Sequence, residues 1–460
     1  MTATPPVPGT GPDGLSASAG PPGPPGPRTG HHTRFDAYVD RYATRTRGMT
    51  ASEIRALFSV ASRPEVVSLA GGMPSLSGLP LDAVAATVRD LVATRGATAL
   101  QYGSGQGEPG LRQQICDVMA IEGVDGHPDD VVVTVGSQQG LDLVTRIFCD
   151  PGDVVVCEAP SYVGALGVFR AYECEVVHVE MDGQGLIPEA LRQALARLAE
   201  IGRRVKFCYT VPTYHNPAGV TLTAARRAEV LAICADYDVL VIEDNPYGLL
   251  GFAGEPPRPL RADEGGRVVY LGSFSKTFAP GLRVGWVLAP HAVREKLVLA
   301  QESSTLCPPA FSQAVVSAYL ADHDWRGQVK QFCELYRERR DAMLEALTEQ
   351  LPTGARWTRP DGGFYVWLTL PAGLDAKAML PRAVTARVAY VPGTAFYADG
   401  FGSRCLRLSY CHPTPERIRE GVRRLAAVVE RERELRETFG AGAGPPHLET
   451  GYESPTPDLT

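Results

Sequence analysis

Lys276 stands in the run Gly272-Ser273-Phe274-Ser275-Lys276-Thr277-Phe278-Ala279-Pro280-Gly281-Leu282-Arg283-Val284-Gly285-Trp286, directly after the apolar stretch Val268–Leu271. An amine drawn out of water beside a strand end has a lowered pKa and can form a Schiff base with a carbonyl. Ser273 and Ser275 add hydroxyl donors, and Arg283 adds a two-pronged cationic donor suited to a dianionic phosphate. Together these groups suit a phosphorylated aldehyde. The plain alternative is a solvated loop carrying a surface lysine.

Three further words follow apolar runs and supply other parts of one ligand. Gly136-Ser137-Gln138-Gln139-Gly140 opens a helical pattern, and a helix N-terminus offers free N–H groups to a phosphate; the alternative is an ordinary N-cap by Ser137. Glu243-Asp244-Asn245-Pro246-Tyr247 places a carboxylate near apolar surroundings, where an unpaired charge is costly. A protonated pyridine nitrogen would pair with Asp244, and a structural ion pair would do the same. Pro212-Thr213-Tyr214-His215-Asn216-Pro217-Ala218-Gly219 makes a fixed turn. Asn216 there either donates to a phenolate oxygen or bonds its own backbone, and His215 reads as a turn or core residue. Arg407, in the strand-like Leu406–Tyr410, suits a substrate carboxylate if it faces inward and solvent if it lies on an edge.

Two motif matches fail for want of context. Gly105-Gln106-Gly107-Glu108-Pro109-Gly110 fits GxGxxG but follows no buried strand and has Pro109 inside the turn. Ser273-Phe274-Ser275-Lys276 fits SxxK but lacks the Ser-Asp-Asn and Lys-Thr-Gly partners that chemistry requires.

The elements that must position these groups alternate. Short β-rich runs (Val131–Val135, Val154–Glu158, Glu175–Val179, Val205–Tyr209, Val239–Ile242, Val268–Leu271) are separated by helical patterns such as Leu191–Ile201 and Ala224–Tyr237. Continuous rather than alternating apolar strands predict a mostly parallel sheet covered on both faces, with ligands at the carboxyl ends. From about Trp325 the pattern becomes a long charged helix, strands near Phe364–Leu368 and Leu406–Tyr410, and a second charged helix. The expected division is a Pro/Gly-rich disordered tail over 1–33, containing His31 and His32, an N-terminal segment 34–75 with a helix at Ala51–Ala61, a large domain 76–322, a small domain 323–436 and a loose tail 437–460.

At 460 residues with 44% hydrophobic residues, the chain can bury a large core. Its net charge of −7, without basic clusters, argues against a nucleic-acid surface. No apolar run approaches membrane-spanning length. Ten scattered cysteines with no CxxC pair argue against a zinc or redox site, and no metal is expected. With no basic-then-apolar leader, the expectation is cytoplasmic.

In this order the words resemble the class I/II aminotransferases of the fold type I pyridoxal-phosphate enzymes, nearest the 2-aminoadipate, aromatic and branched-chain branch, over roughly Arg47 to Val429. The resemblance implies an α/β fold with a mostly parallel central sheet in a large domain plus a smaller α+β domain. It also implies pyridoxal 5′-phosphate as cofactor, and ping-pong transfer of an amino group between an L-amino acid (aminoadipate, aromatic, arylglycine or branched-chain) and a 2-oxo acid. Carried over residue by residue, Lys276 attaches the cofactor, Asp244 pairs with its ring nitrogen, and Tyr247 and Asn216 contact its phenolic oxygen. Ser137, Gln138, Ser273, Ser275 and Arg283 hold the phosphate, and Tyr162 stacks on the ring. Tyr102, in Leu100-Gln101-Tyr102-Gly103, reaches the neighbouring subunit's phosphate, which implies a homodimer with shared sites. Arg407 takes the substrate carboxylate; Gly72, in Ser68–Pro74, lines the side-chain pocket, and Arg55 meets a distal carboxylate. Tyr214-His215 stands where the family commonly has Phe-Gln, and Ala218 where it has Thr, so the substrate pocket departs from the pattern. Other outcomes on the same scaffold, such as a β-lyase or decarboxylase, stay open. So does a non-catalytic ligand sensor, for which the Pro/Gly-rich segment leaves no room for a winged helix.

Overall fold

The structure is a computed structural model that describes residues 38–48 and 63–439. The chain divides into two units at Ala43 and Thr44. Of the first, a one-turn 3₁₀ helix at Val39–Arg41 is described. The second carries every element below. The expected tail 1–33, the helix at Ala51–Ala61 and Arg55 lie outside the described residues, as does the C-terminal tail from 440; the residues 437–439 assigned to that tail instead end the helix Pro415–Phe439.

The strands in chain order are β1 (Val67–Ser68), β2 (Val131–Thr134), β3 (Val154–Ala159), β4 (Glu175–Asp182), β5 (Gly185–Leu186), β6 (Val205–Thr210), β7 (Leu240–Asp244), β8 (Val268–Ser273), β9 (Gly285–Leu288), β10 (Arg356–Trp357), β11 (Tyr365–Thr369), β12 (Val388–Ala389), β13 (Val391–Pro392) and β14 (Cys405–Ser409). The main sheet has the order β2-β9-β8-β7-β6-β3-β4-β5. Its run from β8 through β4 is parallel, while β9 lies antiparallel between β2 and β8. Alternate residues feed opposite faces, as a pleat requires: Phe207, Tyr209, Ile242 and Val269 enter one core, and Cys208, Val241 and Val268 another. Both faces are therefore buried, which accounts for the unbroken apolar runs.

β9 is absent from the runs expected of the sequence. It is a four-residue strand inside the segment that also carries Lys276 and Arg283, and its neighbours are set by long-range pairing rather than local pattern.

A second sheet, antiparallel with the order β10-β11-β14-β13, packs beside the helices Trp325–Gln350 and Pro415–Phe439. In it Trp367 lies opposite Arg407 and Tyr365 opposite Ser409. β1 and β12 form a small parallel pair. All ten cysteines are free thiols. Among the described residues no helix is long and apolar enough to cross a membrane.

Candidate active site

The carboxyl ends of β6, β7 and β8 open onto a cavity of about 260 Å³. Gly72, Ser137, Tyr162, Asn216, Asp244, Tyr247, Lys276 and Arg407, all singled out from sequence, line it together. So does Tyr365, which was not.

Lys276 follows β8 by three residues, and its Nζ donates to the Gly72 carbonyl at 3.0 Å. Its pKa is lowered to about 8. Burial is the main cause; Arg407 and Arg283 repel its charge, against the opposing pull of Cys411 and Asp244. An amine so placed is neutral in an appreciable fraction near neutral pH, as a nucleophile or base must be.

Asp244 ends β7 and is buried. One carboxylate oxygen, Oδ2, accepts a hydrogen bond from the Tyr209 hydroxyl at 2.8 Å. The other, Oδ1, has no partner among the described residues. Burial pushes the carboxyl up to about 6, resisted by the Tyr209 hydrogen bond and the charge of Lys276. Asp244 makes no ion pair among the described residues, so the structural-pair reading fails. An orphaned buried carboxylate oxygen needs a cationic N–H donor, and a protonated ring nitrogen meets that need.

The helix Ser137–Phe148 begins at the cavity, and its first N–H groups have no intrahelical acceptor. The expected N-cap by Ser137 is not formed: the cap is Gly136, with φ 75°, and Ser137 is the first helical residue. Glycine is required at 136 twice over, because a Cβ there would also overlap the Arg283 guanidinium. Arg283 donates to Val135 O at 3.0 Å and to Ser275 Oγ at 3.3 Å, and the Ser273 hydroxyl donates to Ser275 at 2.8 Å. Two hydroxyls, a guanidinium and a helix N-terminus thus converge, the donor set a phosphate dianion requires. Gln138 does not aim its side chain there. Its Nε2 donates to Gly164 O at 3.1 Å and its Oε1 accepts from the Tyr162 hydroxyl at 3.1 Å, which leaves only its backbone N–H for an anion.

Arg407 is 2% exposed. Its NH1 donates to Asn216 Oδ1 and its NH2 to Ala70 O, at 2.9 and 2.8 Å. The guanidinium lies between the rings of Tyr365 and Phe396, 4.2 and 5.0 Å from their centroids. Asn216 therefore serves Arg407 rather than its own backbone. The Tyr247 hydroxyl donates to that of Tyr365 at 3.5 Å, and burial holds the Tyr247 phenol well above its ordinary pKa. Next to Asn216, His215 Nδ1 accepts from the Ala218 N–H at 3.2 Å and Nε2 donates to Glu158 at 3.1 Å, so it is a core residue. Tyr102 lies outside the cavity and is 78% exposed.

Sequence reasoning missed Tyr209, Tyr365 and Phe396. Tyr209 and Tyr365 lie in apolar runs where a phenol counts as one more large side chain. A usable signal was that a buried Tyr hydroxyl needs a polar partner. Among the described residues no cluster of three His, Cys, Asp or Glu could hold a metal.

The family model of aminotransferase class I and II matches residues 64–425. The chain is 42% identical, over 398 residues, to aromatic-amino-acid aminotransferase 1 of Thermococcus litoralis, covering 86% of this chain and 95% of that protein. It superimposes on the crystal structure of a multiple substrate aminotransferase from Thermococcus profundus with a TM-score of 0.82 and 38% identity, over 87% of this chain and 100% of that one. The alpha-aminoadipate aminotransferase of Thermus thermophilus, complexed with N-(5′-phosphopyridoxyl)-L-leucine, matches with a TM-score of 0.81 and 34% identity over the same shares.

Proposed function

Because this chain belongs to the class I and II aminotransferase family, and so moves amino groups between amino acids and 2-oxo acids with pyridoxal 5′-phosphate, we propose the following division of labour among its residues. The cofactor supplies an aldehyde to receive the amino group and a ring into which electrons left on the substrate Cα can spread. Lys276 Nζ would hold it covalently and, when not so engaged, would accept the proton from the substrate Cα. Its lowered pKa, about 8, suits both tasks near neutral pH. Asp244 Oδ1 holds the ring nitrogen protonated, Tyr247 and Asn216 face the phenolic oxygen, and Tyr162 covers the ring. The backbone N–H groups at Ser137 and Gln138, with Ser273, Ser275 and Arg283, hold the phosphate. Arg407 holds the substrate carboxylate, kept in plane by Tyr365 and Phe396.

The observation that carries this reading is the pairing, in one cavity, of an amine of lowered pKa with a buried carboxylate one oxygen of which has no partner among the described residues. Aromatic amino acids are the proposed donors: Tyr162, Tyr247 and Tyr365 line the cavity, and the Thermococcus litoralis relative is named for that class. Aminoadipate is the second candidate, resting on Arg55. The active form is proposed to be a cytoplasmic homodimer in which the exposed Tyr102 reaches the partner's phosphate. The N-terminal segment 34–75, large domain 76–322 and small domain 323–436 are proposed on the same likeness.

The test is borohydride reduction of the holoenzyme followed by peptide mapping, with a panel of amino acids assayed with and without a 2-oxo acid. A trapped adduct at Lys276 and oxo-acid-dependent transfer are expected. No adduct at Lys276 would refute the assignment, and release of ammonia without transfer would place the chemistry elsewhere.

A further inference from the structure

Against the segment Asp244–Gly248, and outside the set of residues that line the cavity, a carboxylate is buried that the proposed chemistry does not use. Glu122 ends the 3₁₀ helix Ala120–Glu122 and is 6% exposed. Its Oε1 accepts from Asn245 Nδ2 at 2.8 Å, and its Oε2 accepts from the Tyr270 hydroxyl at 3.1 Å. Asn245 Nδ2 also donates to Tyr270 at 3.1 Å, closing a triangle, while the Asn245 backbone N–H is tied to Leu271 O at 2.9 Å. At the other end of the segment, a Cβ on residue 248 would overlap Glu122 Oε1 and the Asn245 side chain. Glu122 thus touches the residue after Asp244 and the residue after Tyr247.

We propose that Glu122 is a positioning residue that sets the register of Asp244 and Tyr247 against the cofactor ring by clamping Asn245 and Gly248, and that this clamp is weakened by protonation. The inference rests on the cofactor reading above. The ionised carboxylate accepts from both partners as they stand. Once protonated, it keeps both contacts only if the Tyr270 hydroxyl turns from donor to acceptor, which takes from the Tyr270 proton the acceptor it has now. Burial raises the Glu122 pKa to about 7, opposed by the hydrogen bonds from Asn245 and Tyr270. Of the charged groups around it, Glu243 on β7 raises it further and Arg227, on the helix Ala224–Asp236, lowers it. Tyr214 also faces it, and Arg258 binds the neighbouring Gly123 carbonyl.

The experiment measures the dissociation constant of pyridoxal phosphate through the neutral pH range for the wild type, Glu122→Gln and Tyr270→Phe. Wild-type affinity is expected to weaken as pH falls through about 7. Glu122→Gln, which keeps one acceptor oxygen where the carboxylate has two, is expected to bind about tenfold more weakly at alkaline pH and to lose the break near 7, keeping the one that Asp244 gives near 6. Tyr270→Phe removes a donor to the anion and should move the break up by about one unit. KM for the amino acid, which Arg407 governs, should change by less than about twofold.

Wild-type affinity and an unmoved break in either folded variant overturn the proposal, even with a lowered Tm, because that is the pattern of a purely structural residue. Should Glu122→Gln fail to fold, Tyr270→Phe decides alone. A wild type that takes up no cofactor sinks the cofactor reading itself. A wild type that binds it, with variants indistinguishable from it, sinks only the role given to Glu122.

Discussion

Tyr209→Phe removes one hydroxyl, and its consequence can be worked through from the structure. Among the described residues that hydroxyl is the one hydrogen-bond donor to Asp244 Oδ2, at 2.8 Å, in a buried position. Its own pKa is raised well above the ordinary value, chiefly by burial, so it stays a donor throughout the working range. A hydrogen bond to a charged acceptor contributes about 1.5–3 kcal/mol, and 1.36 kcal/mol corresponds to about one pKa unit. Without the bond, Asp244 should move from about 6 to about 7–8. At neutral pH the ionised fraction then falls by about two- to tenfold, and the hold on a protonated ring nitrogen falls with it. The assay is the pyridoxal-phosphate dissociation constant of wild type and Tyr209→Phe as a function of pH. The two curves should separate near neutrality and converge as the medium becomes alkaline, where Asp244 is ionised in both. A pH-independent offset would mean that Tyr209 only shapes the cavity, and superimposed curves would refute the coupling altogether.

Lys276→Ala should retain some reversible cofactor binding, yield no borohydride-trappable adduct and lose nearly all turnover; wild-type turnover would overturn the role given to the lysine. Arg407→Lys keeps the charge but not the planar fork, so kcat/KM for the amino acid should fall about 10–100-fold while the cofactor absorption stays unchanged. Tyr365→Phe keeps the ring over Arg407 and should leave KM within about twofold, whereas Tyr365→Leu forfeits a cation–π contact of about 0.5–2 kcal/mol and should raise KM about two- to thirtyfold; equal KM values for the two variants would contradict the stacking role. Glu122, Glu243 and Asp244 all have pKa values raised by burial, to about 7, 7 and 6. The stability tied to their protonated forms is complete below their unfolded values and is lost as pH rises through 6 to 7. Melts of the cofactor-free protein should therefore show a Tm several degrees lower at about pH 8 than at about pH 5.5, and a flat or rising profile would count against the buried ionisations.

The parallel part of the sheet was legible because a strand buried on both faces has no choice but to be apolar throughout, as in Val154–Ala159 and Val268–Ser273. Pro, Gly and polar residues after those strands then marked the ligand side. β9 was not legible: Gly285–Leu288 is short, and nothing local distinguishes a strand between β2 and β8 from the tail of the Lys276 segment. Residue type announced the cavity's charged groups, Lys276, Asp244 and Arg407. Their partners were hidden, because Tyr209, Tyr365 and Phe396 come from β6, β11 and a turn after β13, and such meetings depend on the folded register. Glu122 left no trace at all, since an acidic residue at the end of a helical pattern reads as solvated until the fold buries it.

Burial makes both reacting groups of the site costly to charge. Asp244 carries an unpartnered oxygen out of water, and Lys276 sits in the same cavity with its pKa depressed by burial and by two arginines. A ligand that brings a cationic N–H to the carboxylate and an electrophilic carbon to the amine would offset both penalties. A protein that only sensed the ligand would need the phosphate grip of Arg283 and Ser275 and the carboxylate grip of Arg407. Turnover also needs an amine that exchanges a proton near neutral pH, which the lowered pKa of Lys276, about 8, supplies. Proton carriage is a demand of catalysis and not of recognition, so the lowered pKa of Lys276, in the same cavity as Asp244 and Arg407, is the feature that favours turnover over sensing.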